Sequence, residues 1–207
     1  NMEKVVNAFF RKASVHVSLG CGPFAFDCKQ DLIKANQADP GMYVRGHELL
    51  RIFQNTHRHA LMLLDAAWSG SPGAAQIESD VREKLCRSGW RKGEADVIAI
   101  DPELEAWIWV DSIHTAQALG HSSYEAVRQW LYEKDMWPSE CAKPPDPKAA
   151  VESVLRERRK PRSSAIYAKI IEQASVQQCV DPAFARLQEI FQRWFPKGGK
   201  IPRNPNI

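Results

Sequence analysis

Two short runs, ALMLL at Ala60 to Leu64 and DVIAI at Asp96 to Ile100, carry almost no polar positions, and each stops against a carboxylate, Asp65 and Asp101. Runs of this length and character fit strands buried on both faces of a parallel sheet. Between them SGSPG at Ser69 to Gly73 reads as a loop. Ile77, Val81 and Leu85 then recur at every fourth residue, which predicts an amphipathic helix over Ala74 to Arg87, ended by Gly89 and covered by Trp90. Strand, helix, strand in this order predicts a right-handed βαβ crossover.

The flanks read as helix for the most part. Val5, Val6, Phe9 and Phe10 predict an opening helix over Met2 to Lys12. Val15 to Leu19 alternates like a short strand before Gly20, Gly22 and Pro23 break the pattern. A short helix is expected from Asp27 to Asn36, stopped by the turn sequence Asp39-Pro40-Gly41, and another through Val44, Leu49, Leu50 and Phe53 to about Asn55. His57 and His59 stand just before the first strand, where they either face a site or lie on the surface. After the second strand Pro102 suits a first helical turn, with Asp101 as its N-cap and Glu103 near the positive end of the dipole. Glu105, four residues after Asp101, is then expected on the same side of that turn. Further helices are expected at Ser112 to Leu119, Ser122 to Lys134, Pro147 to Arg159, Ser163 to Ala174 and Pro182 to Trp194, with KPPDP at Lys143 to Pro147 as a stiff connector. The pattern is therefore α/β: a small parallel sheet flanked by helices, with a helical C-terminal extension and a Gly/Pro/Asn-rich tail.

Composition adds limits rather than a function. A chain of 207 residues with 44% hydrophobic and 26% charged residues can bury one sizeable core, and it has no apolar run long enough to cross a bilayer. No secretory leader is evident in NMEKVVNAFFRKAS, which makes a cytoplasmic location the expectation. Cys21, Cys28, Cys86, Cys141 and Cys179 are odd in number and widely spaced, as free thiols would be. Charge is uneven: from Ala142 onward there are thirteen Lys/Arg against six Asp/Glu, a balance of +7 against −4 for the rest. The run RERRKPR supplies Arg156, Arg158, Arg159, Lys160 and Arg162 as candidate phosphate contacts, or simply a solvated helix surface.

Common catalytic motifs are missing. The sequence has no GxGxxG after a strand, no GxxxxGK[ST], no GxSxG and no HExxH, which leaves carboxylate chemistry. Ligands and catalysts gather at the carboxyl ends of parallel strands, so Asp65 is expected near Asp101, Glu103 and Glu105. Such acids hold Mg²⁺ through oxygen, and the ion then polarises a phosphate and activates water. The bland alternative is capping by Asp101 and solvated glutamates.

With a buried strand ending in Asp65, a small-residue loop, a helix and then VIAIDPELEAWIW, the chain resembles Toprim-like proteins, specifically the OLD-related stand-alone members of bacterial defence systems. The resemblance covers about Met2 to Val110 and rests chiefly on DPELEAW; KPPDPKAA and RSSAIY also look like family segments, with no chemistry assigned to them. It implies a Toprim-like domain over 1–111, to which the residue pattern adds a basic helical region over 112–196 packed on it and a flexible tail over 197–207. It further implies an Mg²⁺- or Mn²⁺-dependent nuclease, or a nuclease-derived protein, in antiphage defence. Asp65 and Glu105 would be catalytic, Asp65, Asp101, Glu103 and Glu105 would hold the metal, and the basic run would contact nucleic acid. The family's second acidic motif would place a carboxylate at position 67, where this chain has Ala67, and its first-strand glutamate has no counterpart here. The alternative expectation is therefore a catalytically degenerate subunit that binds an ATPase partner or nucleic acid without cleaving it, with a tryptophan-rich surface. A small-molecule phosphohydrolase is a third reading.

Overall fold

The computed structural model describes residues 1–174, 179 and 181–198. Two strands, β1 (Ala60–Asp65) and β2 (Ala95–Ile100), pair in parallel with Ala60 opposite Ala95 and Asp65 opposite Ile100. Ahead of them lie α1 (Met2–Phe10), α2 (Val15–Leu19) and α3 (Asp39–Arg51), and α4 (Ala74–Arg87) joins the strands. A single 3₁₀ turn over Leu104–Ile108 follows β2. Then come α5 (Ile113–Leu119), α6 (Tyr124–Tyr132), α7 (Pro147–Glu157), α8 (Ser164–Gln173) and α9 (Pro182–Trp194). The α/β class, a small parallel sheet among helices, is as the sequence pattern reads. None of the described helices is long and apolar enough to cross a membrane.

The strand period of two sorts side chains into two cores. Ala60, Met62 and Leu64 of β1 join Val97 and Ala99 of β2 in a smaller cluster against Ile77, Val81 and Leu85 of α4, with Trp90 sealing its end. Ile98 and Ile100 turn the other way, into a larger core built from α1, Trp107, Trp109, Trp137 and the later helices. That core spans both halves of the chain, since α1 packs on α8 and α9 packs on β2. In α3 the buried position is Gly46, where a Cβ would meet the side chains of Met62 and Met42.

Among the described residues the sheet has two strands, and polar side chains occupy the outer donors of β2. Ala60 N–H donates to Glu94 O and Ala66 N–H to Ile100 O, so the odd-numbered N–H groups of β2 point outward. Val97 N–H finds Asp96 Oδ1 at 2.9 Å, and Ala99 N–H finds Glu78 Oε1 at 3.0 Å. Both carboxylates are buried, and three arginines neutralise them. Arg82 reaches Asp96 at 2.7 Å and Glu78 at 2.9 Å, Arg193 of α9 reaches Asp96 at 2.7 Å, and Arg186 of α9 pairs with Glu78. These ions close the edge of β2 and fix α9 across it.

Several local expectations are corrected. Val15–Leu19 is helix, not strand: five alternating residues have no neighbouring ladder to join, and Gly20, with φ +69°, closes the helical turn by N–H bonds from Gly20 to Val17 O and Cys21 to His16 O. Asp27 to Asn36 is not helical; Asp27 Oδ1 takes Lys29 N–H at 2.9 Å in a side-chain turn that competes with helix. Asp39-Pro40-Gly41 begins α3 instead of halting a helix, since Pro is tolerated in a first turn and Asp39 suits the dipole there. The later helix positions agree closely, with Ser112, Ser123, Asp146 and Asp181 each accepting backbone N–H bonds as caps. Beyond residue 198 the expected tail lies outside the described residues.

Removing one member of a buried, multiply bonded ion cluster strands its partners, at about 3–5 kcal/mol. Glu78→Ala is therefore expected to lower the urea unfolding free energy by about that amount, and Glu78→Gln by less, because the amide oxygen still accepts from Ala99 N–H. Unfolding curves for the two variants check this.

Candidate functional site

At the carboxyl end of the sheet, four acids from three separate stretches approach one another. Asp65 ends β1, and its Oδ1 accepts Leu104 N–H at 2.8 Å, capping the 3₁₀ turn. Its own outward N–H donates to Asp39 Oδ1 at the start of α3, 3.1 Å away. Glu103 stands at the cap position of the 3₁₀ turn and Glu105 within it. The cap expected from Asp101 is thus supplied by Asp65, 39 positions from Leu104 in sequence, and Asp101 is exposed while Glu105 is 3% exposed. Asp101 and Glu105 do not share a side.

Positive charge is brought to this end by the two segments for which sequence gave no chemistry. From KPPDPKAA, Lys148 meets Glu103 at 3.1 Å, Lys143 donates to Ala106 O at 2.6 Å, and Asp146 Oδ1 caps α7 through Ala149 N–H at 2.8 Å. From RSSAIY, Arg162 donates to Glu105 Oε1 and to the Tyr167 hydroxyl at 3.2 Å each, and to Glu152 at 2.5 Å. Glu105 Oε1 also accepts from the Asn1 amide at 3.2 Å. Each of the two glutamates therefore already has a cation, and among the described residues Asp65 has none.

That asymmetry controls proton affinity. Burial, then the neighbouring charges of Asp39, Glu105 and Glu103, push the Asp65 carboxyl up from 3.8 to about 7, against the opposing hydrogen bond from Leu104. Burial also raises Glu103, more than Lys148 offsets. Lys148 is raised in turn, first by its hydrogen bond to Glu103.

As a metal centre the set does not fit as it stands. Among the described residues no group of three or more His, Cys, Asp or Glu side chains converges on a point where an ion could sit. Glu103 and Glu105 are turned to Lys148 and Arg162, and Asp101 lies apart in solvent.

The basic run is mostly used internally. Arg158 donates to His121 Nε2 at 3.2 Å, Lys160 closes the end of α5 on Gln117 O at 3.1 Å and Ala118 O at 3.0 Å, and Arg162 is the clamp just described. Arg156 and Arg159 are exposed. His57 meets Asp31 at 3.1 Å, and His59 stacks on Trp194, so neither faces the acids. Trp90, Trp107, Trp109, Trp137 and Trp194 are buried, which leaves Trp68 and Trp130 half-buried and no tryptophan-rich surface. The five cysteines are free.

Sequence reasoning missed Asp39, Lys148 and Arg162 as members of the acidic end. For Asp39 the available signal was the acid-proline start of a helix; for the two cations nothing local marks the partner, which lies 45 or 57 residues away. Comparison with protein-family models, with curated proteins and with solved structures gives no match.

The raised Asp65 sets a direction of pH dependence. Because the folded carboxyl holds its proton more tightly than the unfolded one, this group's contribution is most favourable below about pH 4 and is lost as pH rises toward about 7, at roughly 1.4 kcal/mol per pK unit. Asp65→Asn keeps an oxygen for Leu104 N–H and cannot ionise. It is expected to gain stability relative to the parent chain between pH 4 and pH 8, measured by urea unfolding across that range; a constant difference would refute the assignment.

Proposed function

We propose that the chain is a Toprim-like, nuclease-derived protein of antiphage defence, and that its strand-end acids serve binding and architecture rather than cleavage. In this reading it engages nucleic acid or an ATPase partner protein without cutting. One observation carries the proposal: Glu103 is paired with Lys148 and Glu105 with Arg162, so the chain itself supplies the positive charge that a divalent ion would bring. A metal would have to displace both cations, and Arg162 is also held by Glu152 and Tyr167.

A metal-dependent nuclease is the second reading, and Asp65 favours it. Its carboxyl is raised to about 7 by burial first and then by acidic neighbours, and a divalent cation would relieve the second of these.

Incubation of the full chain with labelled DNA and RNA in Mg²⁺ or Mn²⁺ separates the two. The binding reading expects cleavage no faster than in buffer, unchanged in Asp65→Ala and Glu105→Ala. Metal-dependent cleavage that drops a hundredfold or more in Asp65→Ala would overturn it in favour of the nuclease.

A further inference from the structure

The amino end of the sheet, opposite the acids, carries a second charged feature. Helices α3 and α4 both end there, and between them His47, Glu48, Arg51, Lys84, Arg87 and Ser88 line an open cleft of about 430 Å³. The floor is held rigidly: Gln54 donates to Ser88 O at 2.9 Å, tying the segment after α3 to the end of α4. Lys84 donates to Tyr43 O at 2.9 Å and lies 4.2 Å from the centre of the Tyr43 ring.

Cations in the last turn of a helix are favoured by its dipole, which by itself would explain Arg51, Lys84 and Arg87. Three further facts exceed that explanation. Arg58, Arg91 and Lys92 are exposed, stand in the loops entering β1 and β2 and gain nothing from a helix terminus. Among the described residues Arg51, Arg58 and Lys92 have no ion-pair partner, and Arg91 meets Glu94 only at 3.8 Å. His47 Nδ1, shut off from solvent at the cleft, has no hydrogen-bond partner among the described residues.

We propose that this amino-end surface, from the α3–α4 cleft across Arg58, Arg91 and Lys92, binds the phosphate backbone of a nucleic acid. The cations are spread along a surface rather than gathered on one point, and the helix ends present carbonyls, which repel a single seated anion. A chain of phosphates touched in turn by long side chains suits this layout better than one small phosphate ligand. The proposal shares the nucleic-acid reading above but needs nothing from Asp65, Glu103 or Glu105.

The test is fluorescence anisotropy of the full chain with labelled single-stranded and duplex DNA and RNA, in EDTA, over a series of salt concentrations. Arg51→Ala with Arg87→Ala, and separately Arg58→Ala with Lys92→Ala, are expected to weaken binding tenfold or more. Each should lower the slope of log affinity against log salt by about one per cation removed. Arg156→Ala with Arg159→Ala is expected to leave both unchanged, and circular dichroism confirms that the variants are folded. Absence of binding by the parent chain overturns the proposal, as does equal loss in the Arg156/Arg159 variant, or an unchanged affinity in both amino-end variants. Competition by micromolar inorganic phosphate or ATP would show a small-ligand site and overturn it too. Because metal is excluded, failure here is separable from the cleavage result.

Discussion

Two buried carboxylates, Glu78 and Asp96, accept the backbone donors that a further strand would otherwise take from β2. Their charge would be intolerable in that setting without Arg82, Arg186 and Arg193, and two of those three come from α9. The same ions thus end the sheet and bind the last described helix to it. With α9 in place, Asp181 at its start accepts from the Trp107 indole at 3.0 Å, which ties the turn after β2 to the far end of the sequence. At the other end of α9, Trp194 covers His59 and donates to Gly93 O at 2.6 Å. The positions of both ends of the sheet follow from this closure.

Those two ends differ in charge and in how the charge is handled. At the carboxyl end burial, and then repulsion from Asp39, Glu105 and Glu103, raises Asp65, while Lys148 and Arg162 pair with the two glutamates. At the amino end basic residues outnumber acids, and several are left facing water. A small parallel sheet carrying acids at one end and cations at the other is electrostatically oriented. Glu103 and Glu105 are paired internally, whereas among the described residues Arg51, Arg58 and Lys92 have no ion-pair partner, so an anionic partner meets less resistance at the amino end.

How much of this was legible in the sequence depended on distance along the chain. The continuous apolar runs of the strands and the four-residue recurrence of Ile77, Val81 and Leu85 report local burial, and they placed β1, α4 and β2 within a residue. The starts expected for α7 and α9, at Pro147 and Pro182, also hold, where Asp146 and Asp181 cap the helices by local bonds. Val15–Leu19 failed because five residues of alternation do not say whether a strand partner exists. Asp101 failed because a distant residue, Asp65, took the capping bond first. Glu78 looked like any polar residue on a helix, and only the edge of β2 explains why it is buried. Arg162 was read as a phosphate contact from its basic neighbours, whereas Glu105, Glu152 and Tyr167 already occupy it.

The central claim is that Glu103 and Glu105 are neutralised from within, by Lys148 and Arg162, so that they are not free to hold a cation with Asp65. Crystals of the full chain soaked in Mn²⁺, with anomalous scattering recorded near the manganese edge, test it directly. The account expects no anomalous peak between Asp65 and Glu105, with Lys148 still on Glu103 and Arg162 still on Glu105. A manganese ion ligated by Asp65 and Glu105, with Arg162 displaced, would contradict it.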